Sequence, residues 1–229
     1  MEKKIRINKS GIIAVGIMIA LLAIPMAATM QAQALQPVTL TIIGDIGTIT
    51  KNAADILAMP ATSGQGGTLG SGGKISNIGE YAGVSVHYLC SLVGGIGPNY
   101  TIRLIDASGE YIVDFTYAQV HDGEFTTYNP TTGEEQAATQ PLTLILAYSV
   151  NGTELSSSSG PLRAVVVGSE GLLTSSQLWN KQVTTVQLIQ DIPEYTLLAW
   201  IVCLSGFTIL FVYLKGRSIW NKSAPSALR

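Results

Sequence analysis

The sequence predicts an α+β domain, a mixed sheet with short helices, carried between two apolar segments. Three observations predict it. Alternating apolar and polar runs such as YTIRLI (Tyr100–Ile105) and VTTVQLI (Val183–Ile189) recur between turn residues, which is the period of half-buried strands. Helical spacing is short and local. Strands and helices do not alternate in regular units, as a parallel α/β fold would require.

The two apolar segments account for the hydrophobic excess, 47% hydrophobic against 12% charged residues in 229. Gly11 to Ala32 follows Lys3, Lys4, Arg6 and Lys9 and ends near Ala32-Gln33-Ala34, the order of a secretory signal. An uncleaved anchor is the alternative, since the apolar part is long enough to span a bilayer. Tyr195 to Leu214 is 20 residues without a charge, followed by Lys215, Arg217 and Lys222. That pattern predicts a C-terminal transmembrane helix with a basic cytoplasmic flank; a buried core helix is the alternative. The expected organisation is therefore a signal or anchor over 1–34, an extracytoplasmic domain over 35–193, a span over 194–214 and a cytoplasmic tail over 215–229. The expected location is the cell membrane, single-pass, with most of the chain outside. Within 35–193, five Lys and Arg stand against thirteen Asp and Glu, a net charge of −8. This argues against nucleic acid or anionic headgroups as partners of the domain. The two cysteines, Cys90 in the domain and Cys203 in the apolar segment, are expected not to pair; Cys90 reads as a small core residue.

Each element has a local reason. Pro37 to Ile46 (PVTLTIIGDI) predicts the first strand. Thr50 or Asn52 is placed to cap a short helix through Asp55, Ile56 and Leu57, stopped by Pro60. Ala61 to Gly73 (ATSGQGGTLGSGG) reads as a flexible low-complexity loop, and Lys74-Ile75 breaks the phosphate-loop pattern. Lys74 to Tyr81 leads into a short amphipathic helix carried by Val84, Leu89, Leu92 and Val93 and ended by Gly94-Gly95. Tyr100–Ile105 and Tyr111–Phe115 pair across Asp106-Ala107-Ser108-Gly109, and Ala118 to Val120 begins a helical turn. Phe125 to Thr139 is a polar loop. Leu144 to Val167, LILAYSVNGTELSSSSGPLRAVVV, holds the clearest pattern. Its first run alternates as a strand, Asn151-Gly152 tolerates positive φ and makes the turn, and Ala164 to Val167 is a β-branched run buried on both faces.

LAYSVNGTEL followed by GPLRAVVVG resembles a segment of molybdopterin-dependent oxidoreductases of the sulfite oxidase type. LTIIGDIG with DILAMP is similar to that family's opening strand and helix. Tyr81-Ala82-Gly83-Val84 with Leu89 and Leu92 is similar to its "G-V-x-L" segment, and Trp179 to Val186 to its closing "V-K-W-V" strand. The likeness runs from Pro37 to Gln190 and implies a sulfite oxidase-like molybdopterin-binding fold. It also implies a molybdenum held by a pterin dithiolene and one cysteine thiolate, a soft ligand suited to such a metal. The region corresponding to that cysteine, Ala61 to Gly79, contains none. Three positions carry over as cofactor-binding candidates: Arg163 at the phosphate-gripping arginine, Lys181 at the lysine of "V-K-W", and Ser159 where the family often has histidine. The residue after Lys181 is Gln182 rather than tryptophan. For Arg163 the structural alternative is an ion pair with an acidic neighbour such as Glu154.

Other chemistry has weaker support. His121, Asp122 and Glu124 lack the coherent spacing of a zinc site, and no G-x-S-x-G elbow is present. Asn99-Tyr100-Thr101 and Asn151-Gly152-Thr153 match the glycosylation sequon. Two functions follow. One is a non-catalytic surface binding or assembly module with no cofactor, partnered by the membrane and by a protein at the cell surface. The other is a molybdopterin-binding subunit of a membrane-associated redox complex. Capture of a small ligand in the vacated cofactor cleft is a third.

Overall fold

A computed structural model describes residues 37–191 and residue 201. The segments expected to be a signal and a membrane span lie outside the described residues. Among the described residues no helix is long and apolar enough to cross a membrane.

Two mixed sheets with few short helices make up the domain. The first has five strands: β1 (Thr39–Gly44), β2 (Gly47–Asn52), β5 (Tyr100–Asp106), β6 (Ile112–Thr116) and β11 (Val183–Gln190), in the order β2-β1-β11-β5-β6. β11 therefore lies at the centre of this sheet, parallel to β1 and antiparallel to β5. The second contains β3 (Ala61–Leu69), β4 (Ile75–Ser85), β7 (Thr143–Val150), β8 (Thr153–Glu154), β9 (Arg163–Val167) and β10 (Leu173–Ser175). Its path is β10-β3-β4-β7, and β8 and β9 share the free edge of β7. Gln65 and Gly168 exchange two backbone hydrogen bonds of 2.9 Å, so the end of β9 reaches back to β3 and the sheet curls on itself.

Within residues 37–191 the α-helices are α1 (Ala53–Leu57) and α2 (Val86–Ser91). Asn52 caps α1 through a reciprocal pair of 3.0 Å bonds with Asp55, as the sequence predicts. The turn at Asn151-Gly152 also forms as predicted, with φ of 49° and 72°. It joins β7 to β8, and β9 is buried along its whole length.

One expectation is corrected. Ala61 to Gly73 is not a flexible loop; most of it is β3, paired with β4 along its length. Its glycines provide room for neighbouring groups. A Cβ at Gly66 would sit 2.6 Å from the Val166 carbonyl oxygen and 3.5 Å from the Trp179 ring, so no larger residue fits. The short helix expected before Gly94-Gly95 forms as α2, over Val86–Ser91, and the stretch that leads into it, Ile75–Ser85, is an eleven-residue strand. β4 is held between β3 and β7.

Burial follows the layers. One cluster fills the space between the sheets, with Leu40, Ile42, Ile102, Leu104 and Val186 from the first meeting Leu144, Leu146 and Val166 from the second. Cys90 is fully buried there, as predicted for a core residue. A smaller cluster lies within the curl of the second sheet, built from Tyr81, Ile145, Ala147, Leu155, Val165, Val167 and Trp179.

Candidate ligand-binding site

Two separate stretches run side by side at the start of β9 and of β11. Gln182 donates its backbone N–H to the Ser159 carbonyl at 3.1 Å, Val183 to Leu162 at 3.0 Å, and Ala164 to Asn180 at 2.8 Å. Gly160, at φ 85°, makes this approach possible, since a Cβ there would lie 2.6 Å from the Gln182 Cα. The Ser156–Ser159 turn closes on itself, with the N–H groups of Ser159 and Gly160 both donating to the Ser156 carbonyl. These contacts bring Arg163 and Lys181 to the wall of one open cleft of about 460 Å³, lined also by Asn77, Ser158, Trp179 and Asn180. Ser159 contributes its carbonyl to the scaffold, and its hydroxyl accepts from Ser156 at 3.3 Å; its neighbour Ser158 lines the cleft.

Arg163 is only 6% exposed. Its guanidinium lies over the Trp179 ring, 5.2 Å from the centroid, and its Nη1 donates to Asn77 Oδ1 at a long 3.5 Å. The Trp179 ring is fixed in turn. Its Nε1–H donates to Thr174 Oγ1 at 2.8 Å, and Tyr81 meets it edge-on at 5.2 Å. Tyr81 donates its hydroxyl to the Asn77 carbonyl at 2.8 Å, which steadies the residue that Arg163 touches. Asn77 adopts φ 55°, a conformation asparagine tolerates better than most residues.

The expected alternative, a structural ion pair with Glu154, does not form. Arg163 has no carboxylate partner among the described residues. Its Nε and the Glu154 Oε1 are each buried without a hydrogen-bond partner. The Asn180 side chain shares this condition: its Nδ2 donates to the Leu104 and Tyr111 carbonyls at 3.3 Å, and its Oδ1 is unmatched. Burial pushes the Arg163 guanidinium below its ordinary pKa, with Tyr81 opposing, and pushes the Tyr81 phenol above its own. The remaining carboxylate on the wall, Asp106, is engaged by the Ser108 hydroxyl and by the N–H groups of Gly109 and Tyr111.

A buried cation in an apolar setting is costly unless something negative completes it. Here the protein supplies an aromatic face, one weak neutral acceptor and a second cation, Lys181, on the same wall. The arrangement suits an anion, which a guanidinium grips strongly through charge-assisted hydrogen bonds. A second cavity, of about 590 Å³, lies in the 122–142 loop region. It is lined by Asp122, Glu124 and Glu135 with no Lys or Arg, so it lacks this character.

Tested against these residues, a molybdopterin fits in part. Arg163 and Lys181 suit its phosphate. The metal end has no matching thiolate: the described domain's one cysteine, Cys90, does not line the cleft, and burial pushes its thiol up to about 12. A thiol held protonated in an apolar core is not available as a metal ligand. His121 and Asp122 pair at 2.7 Å on an exposed turn, and among the described residues no group of three or more His, Cys, Asp and Glu is placed to hold a metal ion. Sequence reasoning did not assign site roles to Trp179, Asn77 or Asn180. Asn77 is 86 positions from Arg163 and carries no local signal.

No family model matches the chain, and no curated protein is similar to it. Among solved structures the chain is similar to the sulfane dehydrogenase SoxCD from Paracoccus pantotrophus, at 21% identity and a TM-score of 0.49. The likeness covers 68% of this chain and 38% of that one, so the chain spans well under half of that neighbour's length.

Proposed function

We propose that this chain is a membrane-anchored extracytoplasmic domain of the sulfite oxidase-like type that works as a non-catalytic binding module and takes a small anion in the Arg163 cleft. The observation that carries the reading is the state of Arg163. Arg163, a 6% exposed residue with its Nε buried and unpartnered, its guanidinium over Trp179 and no carboxylate partner among the described residues, stays where it is at a cost that a bound anion offsets. The non-catalytic part rests on Cys90, whose thiol is sealed in the core rather than presented at the cleft. The anchoring rests on the charge-free segment Tyr195 to Leu214 and its basic flank.

The test uses the full chain in detergent with pyrophosphate as the probe. A ligand that binds only the folded state stabilises it by about 2.7 kcal/mol at a hundred times Kd, and so raises Tm with its concentration. The expected result is a concentration-dependent rise in wild type and none in Arg163→Gln. An equal rise in both would place the anion elsewhere and overturn the reading.

A second reading, a molybdopterin-binding subunit of a membrane-associated redox complex, is favoured by the meeting of Arg163 and Lys181 in one cleft. Elemental analysis with pterin fluorescence on full chain purified from its native host separates the two. Molybdenum or tungsten with pterin near one per chain selects the second reading; neither metal nor pterin leaves the binding module.

A further inference from the structure

The central strand β11 links two features at opposite ends of the first sheet. It leaves the cleft wall at Gln182 and ends beside Asp191, a distance of about 30 Å at the rise of a strand. Asp191 is fastened there: its N–H donates to the Asn99 carbonyl at 2.7 Å, and its carboxylate accepts from the Thr101 hydroxyl at 2.9 Å. β1 runs parallel to β11, so its following turn, Asp45-Ile46, reaches the same end. Tyr100 donates its hydroxyl to Asp45, and Ile46 donates its N–H to the Val93 carbonyl, which binds the turn to the 93–100 loop.

The surface at this end is unusual for the domain. Ile46 is 76% exposed, the highest value among the large hydrophobic residues described, and it sits at the tip of the turn. Beside it lies Gly94, which opens a loop that carries the exposed Pro98, and neither 44–47 nor 93–100 contains a Lys or Arg. Its two carboxylates, Asp45 and Asp191, are each engaged by a hydroxyl. At the cleft end, Tyr111 and Ile112 are exposed less, at 47% and 45%, and Tyr111 is tied to the Gln177 carbonyl at 3.2 Å. Beyond Asp191 the sequence allows only three residues before the apolar segment that starts at Tyr195. Even fully extended, that connection reaches about 14 Å.

From the strand direction, the exposed tip and the short tether, we infer that the Ile46 turn and the Gly94–Pro98 loop lie against the lipid surface, with the Arg163 cleft at the membrane-distal end. The inference rests on the anchored reading of Tyr195 to Leu214. It sharpens the ligand: a cleft held away from the bilayer takes a water-soluble anion from the extracytoplasmic solution, not a lipid headgroup. The contact is apolar and interfacial, and with no cation at this end it does not depend on anionic lipid.

Full chain in phosphatidylcholine nanodiscs tests this. Single cysteines replace Ile46 or Ser157 in a Cys203→Ser background, each labelled with an environment-sensitive dye; buried Cys90 stays unlabelled. Lipids with a nitroxide on the headgroup act as quencher. Ile46→Cys is expected to lose most of its fluorescence and Ser157→Cys, on the turn beside the cleft, almost none. Equal quenching at both positions, or none at 46 in discs that carry the chain, overturns the orientation while leaving the anchor intact. A chain that does not copurify with discs removes the anchor, and the inference falls with it.

Discussion

The described domain has two arginines in opposite circumstances. Arg103 lies on the surface of β5, opposite Asp114 on β6, and grips it with two bonds of 2.8 Å from Nε and Nη2. Its partner is supplied by the ladder, its charge is matched, and water screens the pair. Arg163 begins a strand that is buried throughout, lies over a tryptophan, and has neither carboxylate nor adequate acceptor. The first pair adds little to stability because both groups are well solvated in the unfolded chain too. The second guanidinium is held at a cost, and a group kept at a cost in a cleft is the better guide to function.

The strongest way to break the contrast is to remove the platform. Trp179→Ala deletes a 3% exposed indole from the curl of the second sheet and should cost about 3–5 kcal/mol in denaturant unfolding, with anion binding lost. Trp179→Phe should retain the fold and weaken the anion-dependent Tm rise, since the indole is the better cation–π partner. Next comes the other buried ionisable group. The Cys90 thiol is raised from an ordinary value of 9.0 to about 12, so the folded state holds the proton where the unfolded state releases it. Its contribution is complete below pH 9 and declines as pH rises toward 12. The loss should be about 1.4 kcal/mol between pH 8 and 10, and Cys90→Ala should lack that part of the alkaline slope.

Arg163→Met sharpens the comparison more finely. Replacing an under-satisfied buried charge with an apolar side chain of similar length should cost less than about 1.5 kcal/mol, or stabilise, while abolishing the pyrophosphate effect. A severe loss of stability would instead show Arg163 to be structural. Arg103→Met should leave Tm near wild type and the pyrophosphate effect intact. The smallest effect lies in acid. Arg103 holds the Asp114 carboxyl below its ordinary range, so its small contribution is present above that range and lost as pH falls through it. The acid limb of a Tm profile should be slightly shallower in Arg103→Met, and an unchanged limb would show that the pair contributes nothing.

Much of the fold was legible where local chemistry decides. Asn52 with Asp55 caps α1, Asn151-Gly152 turns β7 into β8, and the β-branched run after Arg163 is buried, because each depends on residues a few positions apart. Ala61 to Leu69 was misleading because its glycines signal freedom in isolation and close packing in context. The strand Ile75–Ser85 before α2 was missed for a related reason, since it is made by pairing with distant partners. At the site, Arg163 and Lys181 were legible as cationic candidates. Their shared cleft, the Trp179 platform and the contact with Asn77 depend on residues far apart in the chain.

The sequence by itself determined the strand-forming runs, the capped helix and tight turn, the acidic balance of the middle domain, and a single thiol outside the apolar segments. These follow from nearest neighbours, dihedral preference and composition. Only the tertiary structure decided that Arg163 has no carboxylate, that Cys90 is sealed, and that the cleft and the Ile46 tip lie at opposite ends of β11. Whether a charge is paired or desolvated depends on which distant strands meet around it, and no local pattern along the chain records that.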